Sequence, residues 1–397
     1  MKRRVMFYSQ HVLGMGHLIR SLEIIRGLSE FDVCFLNGGE IVAGFAPPPS
    51  VQVINLPPIL ADAAFREIHA ADESQSLDEI KARRRERILA EYERFQPEAL
   101  IIELFPFGRR KFAFELIPLL ERARRDGHRT LIACSLRDIL VSKRDQARFE
   151  AQVVDQANRF FDLLLIHSDP AFQRLEETFP SAEALTCAIR YTGFVAPSKP
   201  AAAPMLDDEF AVGKEPLIVV SLGGGRVGAE LAECAIDASA LLEKRLPHRM
   251  QIFAGPYMPE EEFARLTTRA LGHACIRLQT YTTQFPAWLD HASLSISMAG
   301  YNTCMNLAAA GIPAIVYPFT GNNNEEQTIR AEKLERLGIV DIIRPETLSA
   351  ELLARKIMDG LCIKSRNDHH LLDMGGVELT ARILRETISR HAMEVAR

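Results

Sequence analysis

Residues 4–36, RVMFYSQHVLGMGHLIRSLEIIRGLSEFDVCFL, hold the unit on which the fold turns. Residues 4–9 are apolar enough for a short buried strand. Leu13-Gly14-Met15-Gly16-His17 is a glycine loop. Leu18, Leu22, Ile25 and Leu28 then recur at helical spacing. Residues 31–36 form a second strand, closed by Asn37-Gly38-Gly39. A strand–helix–strand rhythm predicts a parallel sheet with crossover helices. The loop between strand and helix gathers free backbone N–H groups at the positive helix end, which favours an anion. Glycine suits it because a side chain would keep phosphate from the backbone.

The rhythm continues outward. Strands are expected at 99–104, 130–135 and 162–167, with helices over 112–125 and 145–161, and residues 188–194 end this half. Residues 195–204, VAPSKPAAAP, lack periodicity and read as a linker. The plan then restarts with a strand at 216–222, Gly223-Gly224-Gly225 and a helix over about 228–245. Strands follow at 249–254, 275–279, 293–298 and 312–317. A helix over 325–337 and one helical stretch over 349–395 complete the chain. The expected fold is α/β, with two Rossmann-like domains whose parallel sheets face across a cleft. The domains are 1–195 and 215–375, joined by a linker at 196–214, with a closing helix, 376–397, that could return to the first.

Composition narrows the class. Of 397 residues, 47% are hydrophobic and 25% charged, the balance of a soluble globular protein. A net charge of -5 disfavours a nucleic-acid binder. The seven cysteines are odd in number and form no CxxC pair, which suits a reducing compartment better than a disulfide framework. No apolar run is long enough for a transmembrane helix, and the basic start runs into Ser9, Gln10 and His11 rather than a signal peptide. A cytoplasmic protein, able to sit peripherally at the inner face of the membrane, is the expectation.

The third glycine loop, Ser297-Met298-Ala299-Gly300-Tyr301-Asn302-Thr303, also joins a strand to a helix. Polar residues 322–327 follow the next strand, again at the carboxyl edge where open α/β sheets bind ligands. Ile19 stands where a dinucleotide fingerprint needs its third glycine, and no GK[ST] occurs, so a NAD dehydrogenase is disfavoured. The segment from Ser297 to Gly338 resembles the donor half of GT-B glycosyltransferases, in particular the MurG-like family of glycosyltransferase family 28. Gly300 and Thr303 match its phosphate turn, Gly311 and Pro313 its helix-to-strand turn, and Pro318 and Phe319 its strand end. Gln327 matches its donor-sugar glutamine. Gly14, Gly16 and His17 resemble its amino-terminal glycine loop, and Tyr191-Thr192-Gly193-Phe194 its step before the linker. Two positions depart: Asn306 replaces the glutamate expected for the ribose hydroxyls, and Glu326 replaces the first of two glutamines. The resemblance implies a nucleotide-sugar donor, with UDP as the nucleotide, and an inverting, metal-independent displacement on a lipid, glycan or small-molecule acceptor. With the chain's glycine loops and aromatics taken into account, donor contacts are expected from Gly14, Gly16, Gly224, Gly225, Arg226, Tyr281, Gly300, Asn302, Thr303, Asn306, Asn324, Glu326 and Gln327.

The chemistry needs a stabilised leaving diphosphate and a base for the acceptor hydroxyl. Helix N-termini and a cation such as Arg226 can meet the diphosphate. No DxD-type aspartate pair sits at a strand end, so neither metal nor cofactor is expected. His17, at a helix start and with a natural pKa near neutrality, is the candidate base. Glu103, at a strand end, could orient it, and His11 could share the cleft. Tyr281 and Phe285 could stack on a nucleobase. Phe107, Arg109, Arg110 and Lys111, in FPFGRRKFAF at 105–114, suit a membrane surface or lipid-phosphate acceptor. The basic run 81–87, KARRRER, suits either the same role or a solvated helix face. Three rivals differ in class. A nucleotide-sugar hydrolase, like that of pseudaminic acid synthesis, resembles residues 14–22. An epimerase of similar fold would carry a Gly-Thr-Arg-Pro motif that is absent here. A non-catalytic partner of a membrane transferase would typically carry one half only.

Overall fold

The computed structural model describes residues 2–11, 15–42, 44, 46–61, 67–72, 74–125, 130–196, 206, 208–321, 325–363 and 371–395. The chain divides into two compact units, Met1–Val195 with Asp373–Arg397, and Ala196–Leu372. Of the expected linker, 197–205 and 207 lie outside the described residues.

The amino-terminal unit begins with β1 (Arg4–Ser9), α1 (Gly16–Gly27), β2 (Asp32–Asn37) and β3 (Gln52–Asn55). The short antiparallel pair β4 (Ile59–Ala61) and β5 (Ile68–Ala70) follows. Then come α2 (Leu77–Phe95), β6 (Ala99–Glu103), α3 (Ala113–Arg125), β7 (Leu131–Arg137), α4 (Gln146–Phe160), β8 (Leu163–His167) and β9 (Ala188–Tyr191). Seven parallel strands lie in the order β3-β2-β1-β6-β7-β8-β9. β1 is central, with Phe7 aligned to Phe35 on one side and Ile101 on the other. Its side chains alternate between two cores, as strand geometry requires. Met6 and Tyr8 pack with Ile88 and Tyr92 of α2 and Leu116 and Leu119 of α3. Val5 and Phe7 pack with Leu18, Leu22 and Ile25 of α1. Burying each such large apolar side chain stabilises the unit by about 1.5–3 kcal/mol.

The second unit contains β10 (Leu217–Ser221), α5 (Ala229–Leu242), β11 (Arg249–Phe253), α6 (Glu260–Ala270), β12 (Ile276–Gln279) and α7 (Phe285–His291). It continues with β13 (Leu294–Met298), α8 (Tyr301–Ala310), β14 (Ala314–Tyr317), α9 (Glu326–Arg336), β15 (Asp341–Ile342) and α10 (Ala350–Leu361). Its six parallel strands run β12-β11-β10-β13-β14-β15. In each sheet the chain order reverses beside the first strand, between β1 and β6 and between β10 and β13. Those are the crevices where such sheets take ligands.

One expectation is corrected. The helical stretch 349–395 is two helices, α10 and α11 (Gly376–Val395), and the second belongs to the amino-terminal unit. The break is fixed by backbone contact. Phe194 N donates to Asp373 O at 2.7 Å, and Gly376 N donates to Phe194 O at 3.1 Å. A Cβ on Gly376 would come within 2.5 Å of that carbonyl oxygen, so only glycine starts this helix. No helix among the described residues is long and apolar enough to cross a membrane.

Candidate active site

The crevice between β1 and β6 brings two candidates together. His17 lies in the first turn of α1, and Glu103 is the last residue of β6. His17 Nδ1 is 2.6 Å from Glu103 Oε1, and Arg20, one helical turn on, donates to the same oxygen at 2.5 Å. Arg109 Nε lies 4.0 Å from Glu103 Oε2 and donates to the backbone oxygen of Gln10 at 2.6 Å. Glu103 is wholly buried, whereas the His17 side chain keeps 19% of its exposure. Burial works to raise the Glu103 carboxyl, but His17, Arg20 and Arg109 hold it down at about 2. It is therefore an anion, and His17 Nδ1 must be the donor in their bond. Nε2 then keeps its lone pair. Burial, helped by Arg109 and opposed by Glu103, pushes the imidazole down to about 3, so His17 is neutral near pH 7. A neutral imidazole with a carboxylate behind it has its orientation fixed, the arrangement a general base would use.

The loop after β6 that carries Arg109 has two non-glycine residues in the left-handed region, Leu104 with φ 67° and Arg109 with φ 58°. Such conformations cost energy and cluster at functional sites. The neighbouring candidates fare differently. Gly14 lies outside the described residues, and Gly16 opens α1. His11 is buried rather than open, donating from Nε2 to Glu40 O at 2.9 Å. Phe107 is corrected: it is 3% exposed and packs edge-on against Phe179 at 5.1 Å, so it belongs to the core and not to an acceptor or membrane surface. Arg109 turns inward. Arg110 is exposed, bonds to Gln152 and lies 5.9 Å from the Phe149 ring, while Lys111 is half-buried. The run 81–87 is not a uniform solvated face, because Arg84 within it is wholly buried against Glu115.

In the second unit the glycine loops line the β10–β13 crevice. Gly223, Gly225 and Gly228 have φ of 64°, 83° and 95°. A Cβ on Gly225 would meet Ala254 O at 2.3 Å, and one on Gly255 would meet the Gly224 carbonyl carbon at 2.4 Å. These two loops touch backbone to backbone. Gly300 is different: a Cβ there would meet nothing within 4 Å. It directly precedes α8, the position at which a helix N-terminus can take an anion. Asn302 and Thr303 are half-buried in the first turn, with Asn306 one turn on and its Oδ1 buried without a hydrogen-bond partner among the described residues. Exposed Arg226 is held with its guanidinium 5.2 Å from the Tyr257 ring. Tyr281 is half-buried in the loop after β12. Phe285 is half-buried at the start of α7, its ring edge-on to Phe253 at 6.2 Å. Glu326 pairs inward with fully buried Arg330 at 2.7 Å, and Arg330 donates to Ala299 O at 3.1 Å. Its carboxylate thus braces the Ala299–Gly300 turn. Gln327 Oε1 accepts from Phe319 N at 3.0 Å, and Asn324 lies outside the described residues.

Sequence reasoning missed Arg20, Arg84, Tyr257 and Arg330. Arg20 and Arg330 had a signal, the i+3 and i+4 spacing from His17 and Glu326. Among the described residues, no group of three or more His, Cys, Asp or Glu is placed to hold a metal ion.

Comparison with known proteins bears out the resemblance. Residues 218–369 match the glycosyltransferase family 28 C-terminal domain. A relative from Caulobacter vibrioides (strain NA1000 / CB15N), UDP-N-acetylglucosamine--N-acetylmuramyl-(pentapeptide) pyrophosphoryl-undecaprenol N-acetylglucosamine transferase, is 24% identical over 204 residues. That match takes in 51% of this chain and 54% of the relative, so the chain spans about half the length of the curated relative it matches. Among solved structures, Acinetobacter baumannii MurG has 17% identity and a TM-score of 0.53, covering 98% of this chain and 99% of that one. A Listeria monocytogenes protein described as a UDP-N-acetylglucosamine 2-epimerase has 15% identity and a TM-score of 0.65, covering 99% and 98%. At such identities the likeness concerns the fold alone, which is that of GT-B glycosyltransferases.

Proposed function

We propose that this chain is a MurG-like glycosyltransferase that moves a sugar from a nucleotide donor, a UDP-sugar, to an acceptor hydroxyl. The observation that carries the reading is the family 28 match over residues 218–369, which coincides with the unit bearing the Gly223–Gly225 and Ala299–Gly300 loops. The His17–Glu103 pair supports the chemistry.

In this reading His17 Nε2 takes the proton of the acceptor hydroxyl as its oxygen attacks the anomeric carbon. The bond from that carbon to the diphosphate oxygen breaks on the opposite face, and the configuration inverts. Glu103 stabilises the imidazolium as it forms. The departing diphosphate meets the N–H groups at the start of α8 and the Arg226 guanidinium, an arrangement of fixed donors that needs no metal ion. Asn302 and Asn306 offer amides to the donor, and Tyr281 a ring. The acceptor is a lipid, glycan or small molecule, and a lipid acceptor would bring the chain to the inner face of a membrane.

The test is to incubate the protein with a panel of nucleotide sugars, with and without lipid or glycan extracts, and to follow nucleotide release. Acceptor-dependent release, unaffected by EDTA, is expected. Release without any acceptor would instead make it a hydrolase. Binding without turnover would make it a partner subunit, and loss of turnover in EDTA would end the metal-free reading.

A further inference from the structure

Beneath the site lies a second ionic group that the chemistry above does not use. Arg84 of α2 and Glu115 of α3 both have no solvent exposure. Arg84 grips the carboxylate with two prongs, Nε to Oε2 and Nη2 to Oε1, each at 2.7 Å. Tyr8 OH donates to Oε1 at 2.5 Å. The other three guanidinium hydrogens are also placed. Nη1 donates to Gly38 O at 2.9 Å and Pro57 O at 2.7 Å, and Nη2 donates to Gln10 Oε1 at 2.7 Å. All five donors of the fork are satisfied. The fit is tight, for a Cβ on Gly38 would come within 2.2 Å of Gln10 Oε1.

A buried ion pair is weak evidence for stability, since an apolar replacement of equal volume often serves as well. The position of this one suggests another use. Gln10 directly follows β1 and leads to the glycine loop. Its side chain is fixed by Arg84 and by donation to His11 O at 3.0 Å. Its own backbone oxygen receives Arg109. Arg109 in turn faces Glu103, which holds His17.

We infer that Arg84 and Gln10 are positioning residues for the His17–Glu103 pair: Arg84 clamps Gln10, Gln10 seats Arg109, and Arg109 fixes the field in which His17 works. The inference rests on the reading of His17 as the base. The charged groups facing His17 are Arg20 on its own helix, Glu103 on β6 and Arg109 on the loop beyond.

The experiment compares Gln10→Met, which cuts the link but leaves the Arg84–Glu115 pair, with Gln10→Glu, which restores an acceptor for Arg84. Two readouts are taken on folded protein: kcat and donor KM for nucleotide release, and titration of the His17 ring by NMR with labelled histidine. Gln10→Met is expected to lower kcat by roughly 10-fold or more, the scale of a small misplacement, with donor KM little changed. Its His17 ring should titrate nearer the ordinary histidine value than in the wild type. Gln10→Glu, which keeps the acceptor for Arg84 but loses the donor to His11 O, should recover part of both. If Gln10→Met shows wild-type kcat and wild-type titration, the inference is overturned. If the wild type turns over no nucleotide sugar, the functional reading falls, and the titration alone still decides this inference. Should Gln10→Met not fold, Arg84→Lys, which keeps the charge but loses the fork, takes the same two measurements.

Discussion

His17 and Glu103 are held as one unit, in which a carboxylate that stays ionised orients an imidazole that stays neutral; in the proposed mechanism that imidazole takes the acceptor's proton. Replacing His17 by Ala should lower acceptor-dependent turnover by about 10²–10⁴-fold, the usual weight of a positioned acid–base group. Steady-state kinetics check this, and unchanged turnover would remove His17 from the mechanism. The same pair leaves a mark on stability. His17 is pushed down to about 3 from an unfolded value near 6.5, so the unfolded chain binds the proton first as pH falls. Stability is therefore full above 6.5 and declines towards 3. Glu103, held at about 2, adds a decline from about 4.5 towards 2. Urea titrations from pH 7 to 4.5 should show a shallower decline in His17→Gln than in the wild type. Parallel curves would mean that the burial of His17 has no such effect. Both residues were legible in the sequence, because each sits where a strand ends or a helix begins. Arg84 was not. Its run KARRRER looks solvated until Glu115, distant in sequence, is brought against it.

The glycine loops look alike in sequence, yet the structure separates them by what a methyl group would touch. Gly225 has φ 83° and the Ala254 carbonyl 2.3 Å from its would-be Cβ. Gly225→Ala should thus destabilise the second unit by about 1–3 kcal/mol, seen as a lower melting temperature. Gly300 has φ -68° and open space. Gly300→Ala should melt like the wild type but raise donor KM, because the methyl group would stand where the proposed mechanism brings a phosphate. If it leaves donor KM unchanged, the α8 N-terminus is not the donor site. At this scale the alternation of strand and helix was legible, since buried parallel strands are continuous apolar runs. In the sequence, helical periodicity runs over 349–395 while a closing helix is also set off at 376–397. Where α10 ends was not legible, and backbone hydrogen bonds tie Asp373 and Gly376, at the start of α11, to Phe194.

The whole molecule has one unit written inside the other. The amino-terminal unit is interrupted after Val195 and resumes at Asp373, and the two points are joined by the Phe194–Asp373 hydrogen bond. Val377, Ala381, Leu384 and Ile388 of α11 are buried in the core that α1 shares with β1. Gly27 and Val377 are so close that a Cβ on the glycine would lie 2.4 Å from the valine side chain. A chain ending at residue 372 should keep a folded second unit and lose the first. Limited proteolysis would show a resistant fragment over about 210–372 and rapid cleavage before 195. Equal resistance of both would mean that α11 is dispensable.

That interrupted plan also sets an order of events during synthesis. Residues 196–372 are contiguous and can close their own sheet as soon as they leave the ribosome. The first 195 residues, although made earlier, must wait for α11 before their core is complete. The unit proposed to hold the donor is therefore finished first, and the unit with the proposed base is sealed only by the last residues described.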